Sequence, residues 1–110
     1  MKVDVTKLQE IQVVTIVGEI DGSTAPQAQE QILGLVEPGA KIVLDMTGVT
    51  YMSSAGLRML LVAYRTVTSK SGRVVLVGLS DELKDTMSVT GFLDFFTCRD
   101  TLEAGIAELA

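Results

Sequence analysis

Two adjacent serines, Ser53 and Ser54, stand where an apolar run (residues 41–46) gives way to an amphipathic pattern starting at Gly56, within KIVLDMTGVTYMSSAGL. A hydroxyl at a strand-to-helix junction faces unpaired backbone N–H groups and the positive end of the helix dipole. Such a place tolerates a phosphate. It is also where a serine caps a helix, and the local sequence leaves both readings open. Asp21 and Asp45 close two strand patterns at what reads as one rim, and a carboxylate pair there could hold Mg2+. In the setting Asp21-Gly22-Ser23-Thr24 the first of them reads more simply as a turn residue.

The chain has no histidine and one cysteine, Cys98. A Ser-His-Asp hydrolase and a Cys/His metal centre are thereby excluded. Gly56 follows Ser54 by two residues, but Met52 occupies the position where a nucleophile elbow needs glycine. No lysine lies near Ser54 in sequence. Neither G-x-x-x-x-G-K-[ST] nor G-x-G-x-x-G occurs, so no phosphate-cradling loop is encoded. A Ser-Lys pair stays open on the residues alone, and the cap and phosphate readings of the serines are compatible, since a capping hydroxyl can also be exposed to a kinase.

The elements that position these residues are legible from periodicity. Residues 3–7 alternate weakly, as in an edge strand, and Gln9-Glu10 turns the chain into a second strand at 11–20. In that strand Ile11, Val13 and Val17 fall on one face and Val14, Ile16 and Ile20 on the other, which suits a central position. Thr24 reads as an N-cap with Gln27 completing a capping box and Pro26 in the first turn. Pro38-Gly39 stops that helix. Residues 41–46 form a buried strand and 47–54 a loop. Leu57, Leu60, Leu61 and Tyr64 share a helical face, and 73–79 is a further buried strand. Ser80 caps a third helix carrying Leu83, Met87 and Thr90 on one side, with Gly91 beyond its end. Residues 92–98 supply aromatic packing and a short last strand. Asp100, with Glu103, caps a final helix whose Leu102, Ile106 and Leu109 face inward. The order β-β-α-β-α-β-α-β-α predicts an α/β layered domain: a mixed sheet of four to five strands with about four helices mainly on one side. In that arrangement residues 21–24 and 47–54 are neighbouring strand-to-helix loops.

Composition narrows the function further. At 110 residues, 47% of them apolar, the chain suits one domain, residues 1–110, with a core of its own. No apolar run approaches a membrane span and the N-terminus carries no signal-peptide core, so a cytoplasmic protein without membrane association is expected. Cys98 excludes an internal disulfide and reads as a small buried residue near a strand end. The net charge of −5, without a Lys/Arg cluster, argues against nucleic acid and for a partner with a basic patch.

Two segments carry a family resemblance. Gly18-Glu19-Ile20-Asp21-Gly22-Ser23-Thr24-Ala25 matches G-E-I-D-x-x-T-A, and residues 45–57 match D-[LM]-[ST]-x-[VL]-x-[FY]-[ML]-x-S-x-G-[LI]. Together they resemble the bacterial anti-sigma factor antagonists, which are single STAS domains, over essentially the whole chain. The resemblance implies a non-enzymatic partner switch that needs no cofactor or metal. The unphosphorylated antagonist binds an anti-sigma factor that is also a serine kinase, and the sigma factor is released. Phosphorylation abolishes the binding, and a PP2C-type phosphatase restores it. By the motif the acceptor falls on Ser54, with Ser53 the alternative, and Asp21 matches the acidic position beside it. The family commonly has Asp where this chain has Ser53, and often Ser where it has Ala55. The partner-binding residues expected are Asp21, Ser23, Thr24, Met52, Ser53, Ser54, Ala55, Gly56, Arg58 and Met59, with core filling the competing role for the two methionines. Asp21 and Asp45 are expected to add negative charge near the acceptor. A monomer or weak dimer is expected. The same switch acting on a non-sigma output, such as secretion or metabolic control, and a STAS scaffold subunit of a signalling assembly are the alternatives.

Overall fold

The computed structural model describes residues 1–110. Strand β1 (Lys2–Leu8) turns through Gln9 and Glu10 into β2 (Ile11–Ile20), and Gln9 takes the left-handed φ of 56° that closes this tight antiparallel hairpin. Helix α1 (Ala25–Leu33), β3 (Lys41–Met52), α2 (Ser54–Ser69), β4 (Arg73–Val77) and α3 (Asp81–Val89) follow. A 3-10 turn (Phe92–Phe95), β5 (Thr97–Arg99) and α4 (Leu102–Leu109) complete the chain. The five strands lie in the order β1-β2-β3-β4-β5, with β1 antiparallel and the rest parallel.

From β2 onward each crossover steps one strand in the same direction. Right-handed connections of that kind stack their helices on one face. The larger core, 23 buried residues, is accordingly formed by Val14, Ile16 and Ile20 of β2, the inward residues of β3 and β4, and the apolar stripes of α1, α2 and α3. Helix α4 closes no crossover and covers the other face. A smaller core there joins Ile11, Val13, Val43, Val75 and Val77 to Leu109, with Leu102 and Ile106 packed against it. Gly105 permits this approach, because a Cβ at that position would run into Val77 Cγ1. At the far end of α4 both Arg73 and Arg99 pair with Glu108. The two-faced pattern expected of β2 is therefore realised, except that Val17 lies beyond the reach of α4 and remains exposed.

Four local expectations are corrected. Helix α1 ends at Leu33 with Gly34 as its C-cap, before Pro38-Gly39 is reached. Residues 47–52 continue β3 as strand instead of looping. Beyond Thr15 the β2–β3 register shifts twice, and Gly48 sits at the first shift, where a Cβ would lie 2.9 Å from Val17 Cγ2. Glycine here marks a bulge and close strand approach, not a turn. Strand β4 ends at Val77, because Gly78 has a left-handed φ of 72°. Helix α4 is capped by Thr101, whose Oγ1 accepts from Ala104 N at 3.1 Å, not by Asp100. No helix is long and apolar enough to cross a membrane.

Candidate functional site

The C-terminal ends of β2 and β3 meet at one rim. Ile20 pairs with Met52, and Ser53 N donates to Ile20 O at 2.9 Å. One residue, Ser53, separates the end of β3 from the start of α2. Leu57 N donates to Ser53 O at 3.0 Å, the bond that opens the helix. Gly56 makes the junction possible. A Cβ there would lie 2.5 Å from Met52 Cγ, 3.0 Å from Ile20 Cγ2 and 3.1 Å from Ile20 O.

The two serines are placed differently. Ser53 occupies the N-cap position in an extended conformation, yet its hydroxyl makes no capping bond, and Oγ is buried without any partner. Ser54 is the first residue of α2 and is exposed. The first turn of α2 contains no acidic residue, so its N–H groups have neither a capping side-chain oxygen nor a carboxylate of their own helix. Helix α3 is different: Ser80 Oγ accepts from Leu83 N, and Asp81 and Glu82 fill its first turn.

Across the rim, Asp21 organises the β2–α1 turn. Its Oδ1 accepts from Ser23 N at 2.9 Å, Ser23 Oγ at 2.7 Å and Thr24 N at 3.2 Å. These bonds favour the charged form, the Ser23 hydroxyl contributing most, and hold the carboxyl below the ordinary aspartate value of 3.8. The capping box expected of Thr24 and Gln27 does not form. Thr24 Oγ1 accepts from Asp21 N at 2.8 Å and donates to Glu19 O at 2.9 Å, stapling the turn instead of capping α1.

Asp45 is not part of this site, contrary to expectation. It pairs with Thr15, seven residues before β3 ends, which puts it roughly 20 Å along the strand from Met52 at ~3.3 Å per residue. Its Oδ1 accepts from Thr47 N and Thr47 Oγ1. The carboxylate pair that Mg2+ would need is therefore split, and no group of three or more Asp, Glu or Cys side chains is placed to hold a metal ion. Met52 and Met59, 5% and 2% exposed, belong to the larger core, and Met59 also lines the groove between α1 and α2. Between α1 and α2 runs a shallow groove bordered by Gly22, Ala25 and Pro26 on one side and Ala55, Arg58 and Val62 on the other. Gly22, Ala25, Pro26 and Val62 of this groove are not among the residues expected from the sequence, although Val62 lies one helical turn beyond Arg58 and the spacing alone could have found it. The other hollow of the molecule, at Lys7, Glu37 and Lys41, shares no residue with the rim.

The rim offers an accessible hydroxyl at a helix start and a carboxylate locked in its own turn, with no base to activate the serine. The fold is that of a small α/β domain with a five-stranded mixed sheet. The STAS domain model matches residues 2–105, and the chain belongs to that family. It is 31% identical over 106 residues to the anti-sigma-B factor antagonist of Bacillus subtilis, covering 96% of this chain and 97% of that one. The crystal structure of an anti-sigma factor antagonist from Mycobacterium paratuberculosis superposes with a TM-score of 0.86 at 25% identity, over 98% of this chain and 92% of that one. The Bacillus cell fate determinant SpoIIAA in its phosphorylated form shares the fold, with a TM-score of 0.76 at 20% identity, over 99% of this chain and 100% of that one.

Proposed function

We propose that this chain is a phosphorylation-controlled anti-sigma factor antagonist, a binding protein and not an enzyme, acting in the cytoplasm. In its unphosphorylated form it docks on an anti-sigma factor that is also a serine kinase, and so frees the sigma factor. Phosphorylation of Ser54 ends the docking, and a PP2C-type phosphatase reverses the mark. The observation that carries this reading is the exposure of Ser54 on the first turn of α2, beside the Asp21 turn, in a chain whose relatives bear the antagonist name. The buried Oγ of Ser53 supports Ser54 as the acceptor, because a kinase could reach Ser53 only by unseating the helix start. With the acceptor, Asp21, Ser23, Thr24, Ala55 and Arg58 make up the docking rim of this reading.

The physical basis is local. A phosphate adds roughly −1.5 to −2 charges at pH 7, and a penalty of ~3 kcal/mol at an interface weakens binding more than a hundredfold. No rearrangement of the domain is needed. Incubation with the cognate kinase and ATP, followed by intact-mass analysis, should show one added phosphate. Ser54→Ala should abolish it and Ser53→Ala should leave it, while Ser54→Asp should fail to bind the kinase. An unmodified chain, or a phosphate that survives in Ser54→Ala, overturns the reading.

A further inference from the structure

Helix α2 carries two exposed arginines, Arg58 and Arg65, and no acidic residue anywhere along its length. The four ion pairs of the molecule, Lys2–Asp4, Arg73–Glu108, Arg99–Glu108 and Lys84–Asp100, all lie elsewhere. Arg58 is therefore a cation without a counter-ion, standing on the groove wall next to Ala55. The carboxylate of the adjoining loop, Asp21, is committed to Ser23 and Thr24. Since α2 begins at Ser54, Arg58 lies at the i+4 position from the first helical residue. Side chains so spaced share a face, with Cβ atoms about 5–6 Å apart. A guanidinium on a three-carbon stem spans that distance, and its planar fork matches two phosphate oxygens.

We propose that Arg58 is the internal counter-ion of a phosphate on Ser54, so that phosphorylation also withdraws a cationic contact from the docking rim. This rests on Ser54 being the phosphoacceptor. The unphosphorylated rim presents a small hydroxyl and a free guanidinium, which suits a partner with a carboxylate opposite Arg58. The phosphorylated rim presents neither: the hydroxyl has become a dianion, and the guanidinium is engaged with it. Such a partner then meets the new negative charge and loses its cation at once.

The test needs no partner. The full chain is made with phosphoserine introduced at position 54 during synthesis, and the second ionisation of the phosphate is followed by 31P NMR at low ionic strength. An exposed ion pair lowers this pKa, and Arg58→Gln should raise it by about half a unit. Arg65→Gln, two further turns along the helix, should leave it in place, and added salt should shrink the Arg58 effect. An unchanged value in Arg58→Gln, or an equal shift in Arg65→Gln, overturns the pairing. Failure of a kinase to modify Ser54 would sink the proposed function while leaving this shift intact; an unshifted pKa beside a working kinase removes Arg58 alone.

Discussion

Replacing Gly56 with alanine tests whether the helix start is wedged against the ends of β2 and β3. The added methyl would sit 2.5 Å from Met52 Cγ, 3.0 Å from Ile20 Cγ2 and 3.1 Å from Ile20 O. Met52 and Ile20 are buried, and Ile20 O already accepts from Ser53 N, so none of the three yields without moving its neighbours. Overpacking of this kind costs about 1–3 kcal/mol, and straining the Ser53–Ile20 bond adds up to ~1 kcal/mol. Alanine recovers at most ~1 kcal/mol through its better helix propensity. The net loss is about 1–2 kcal/mol, which for a domain of this size lowers Tm by roughly 5–10 °C. Scanning calorimetry measures it. Gly22→Ala, on the opposite side of the rim, is the control: its Cβ meets nothing within 4 Å, and Tm should stay put. A Gly56→Ala protein that melts at or above the parent temperature refutes the wedge.

The unpartnered Ser53 hydroxyl gives an inverted expectation for an N-cap serine: Ser53→Ala should leave stability unchanged or raise it, whereas Ser80→Ala, which loses a true cap, should cost ~1 kcal/mol by urea unfolding. Equal losses in the two would refute the distinction. Because the folded-state pKa of Asp21 lies below 3.8, its stabilisation is complete above that value and fades as pH falls through the folded pKa. The deficit of Asp21→Ala against the parent should therefore shrink on acidification, and a deficit that does not change with pH would count against it. Burial pushes the Cys98 thiol above its ordinary value of 9.0, with Lys84 and Arg99 opposing only in part. Alkylation of the folded chain at pH 8 should accordingly be slower than that of the urea-unfolded chain, and equal rates would contradict the burial.

The parallel strands, the hairpin and the amphipathic face of α2 were legible because each depends on residues close in sequence. Val14, Ile16 and Ile20 declared one face of β2 and Ile11 and Val13 the other by simple alternation, and each set found its core. The errors arose where a distant partner decides. Gly48 reads as a turn until β2 is alongside, when it becomes the bulge that lets β3 run on to Met52. Thr24 has the chemistry of a cap, yet Glu19 O and Asp21 N claim its hydroxyl. Asp45 sat within the second motif, but strand length carried it away from the rim. Of the expected docking residues, Ser23, Ser54 and Arg58 are exposed, while the alternation that buried Met52 sent Tyr51, 52% exposed, to the opposite surface.

A joint of one residue has little freedom to flex. Strand, Ser53 and helix are clamped by the Ser53–Ile20 bond and by the absence of a side chain at Gly56. Whatever is attached to the Ser54 oxygen inherits the bearing of the sheet itself, like a peg driven into a beam. If a partner docks here, as proposed, it meets a helix start whose direction is settled before contact, and little ordering entropy is lost at that joint.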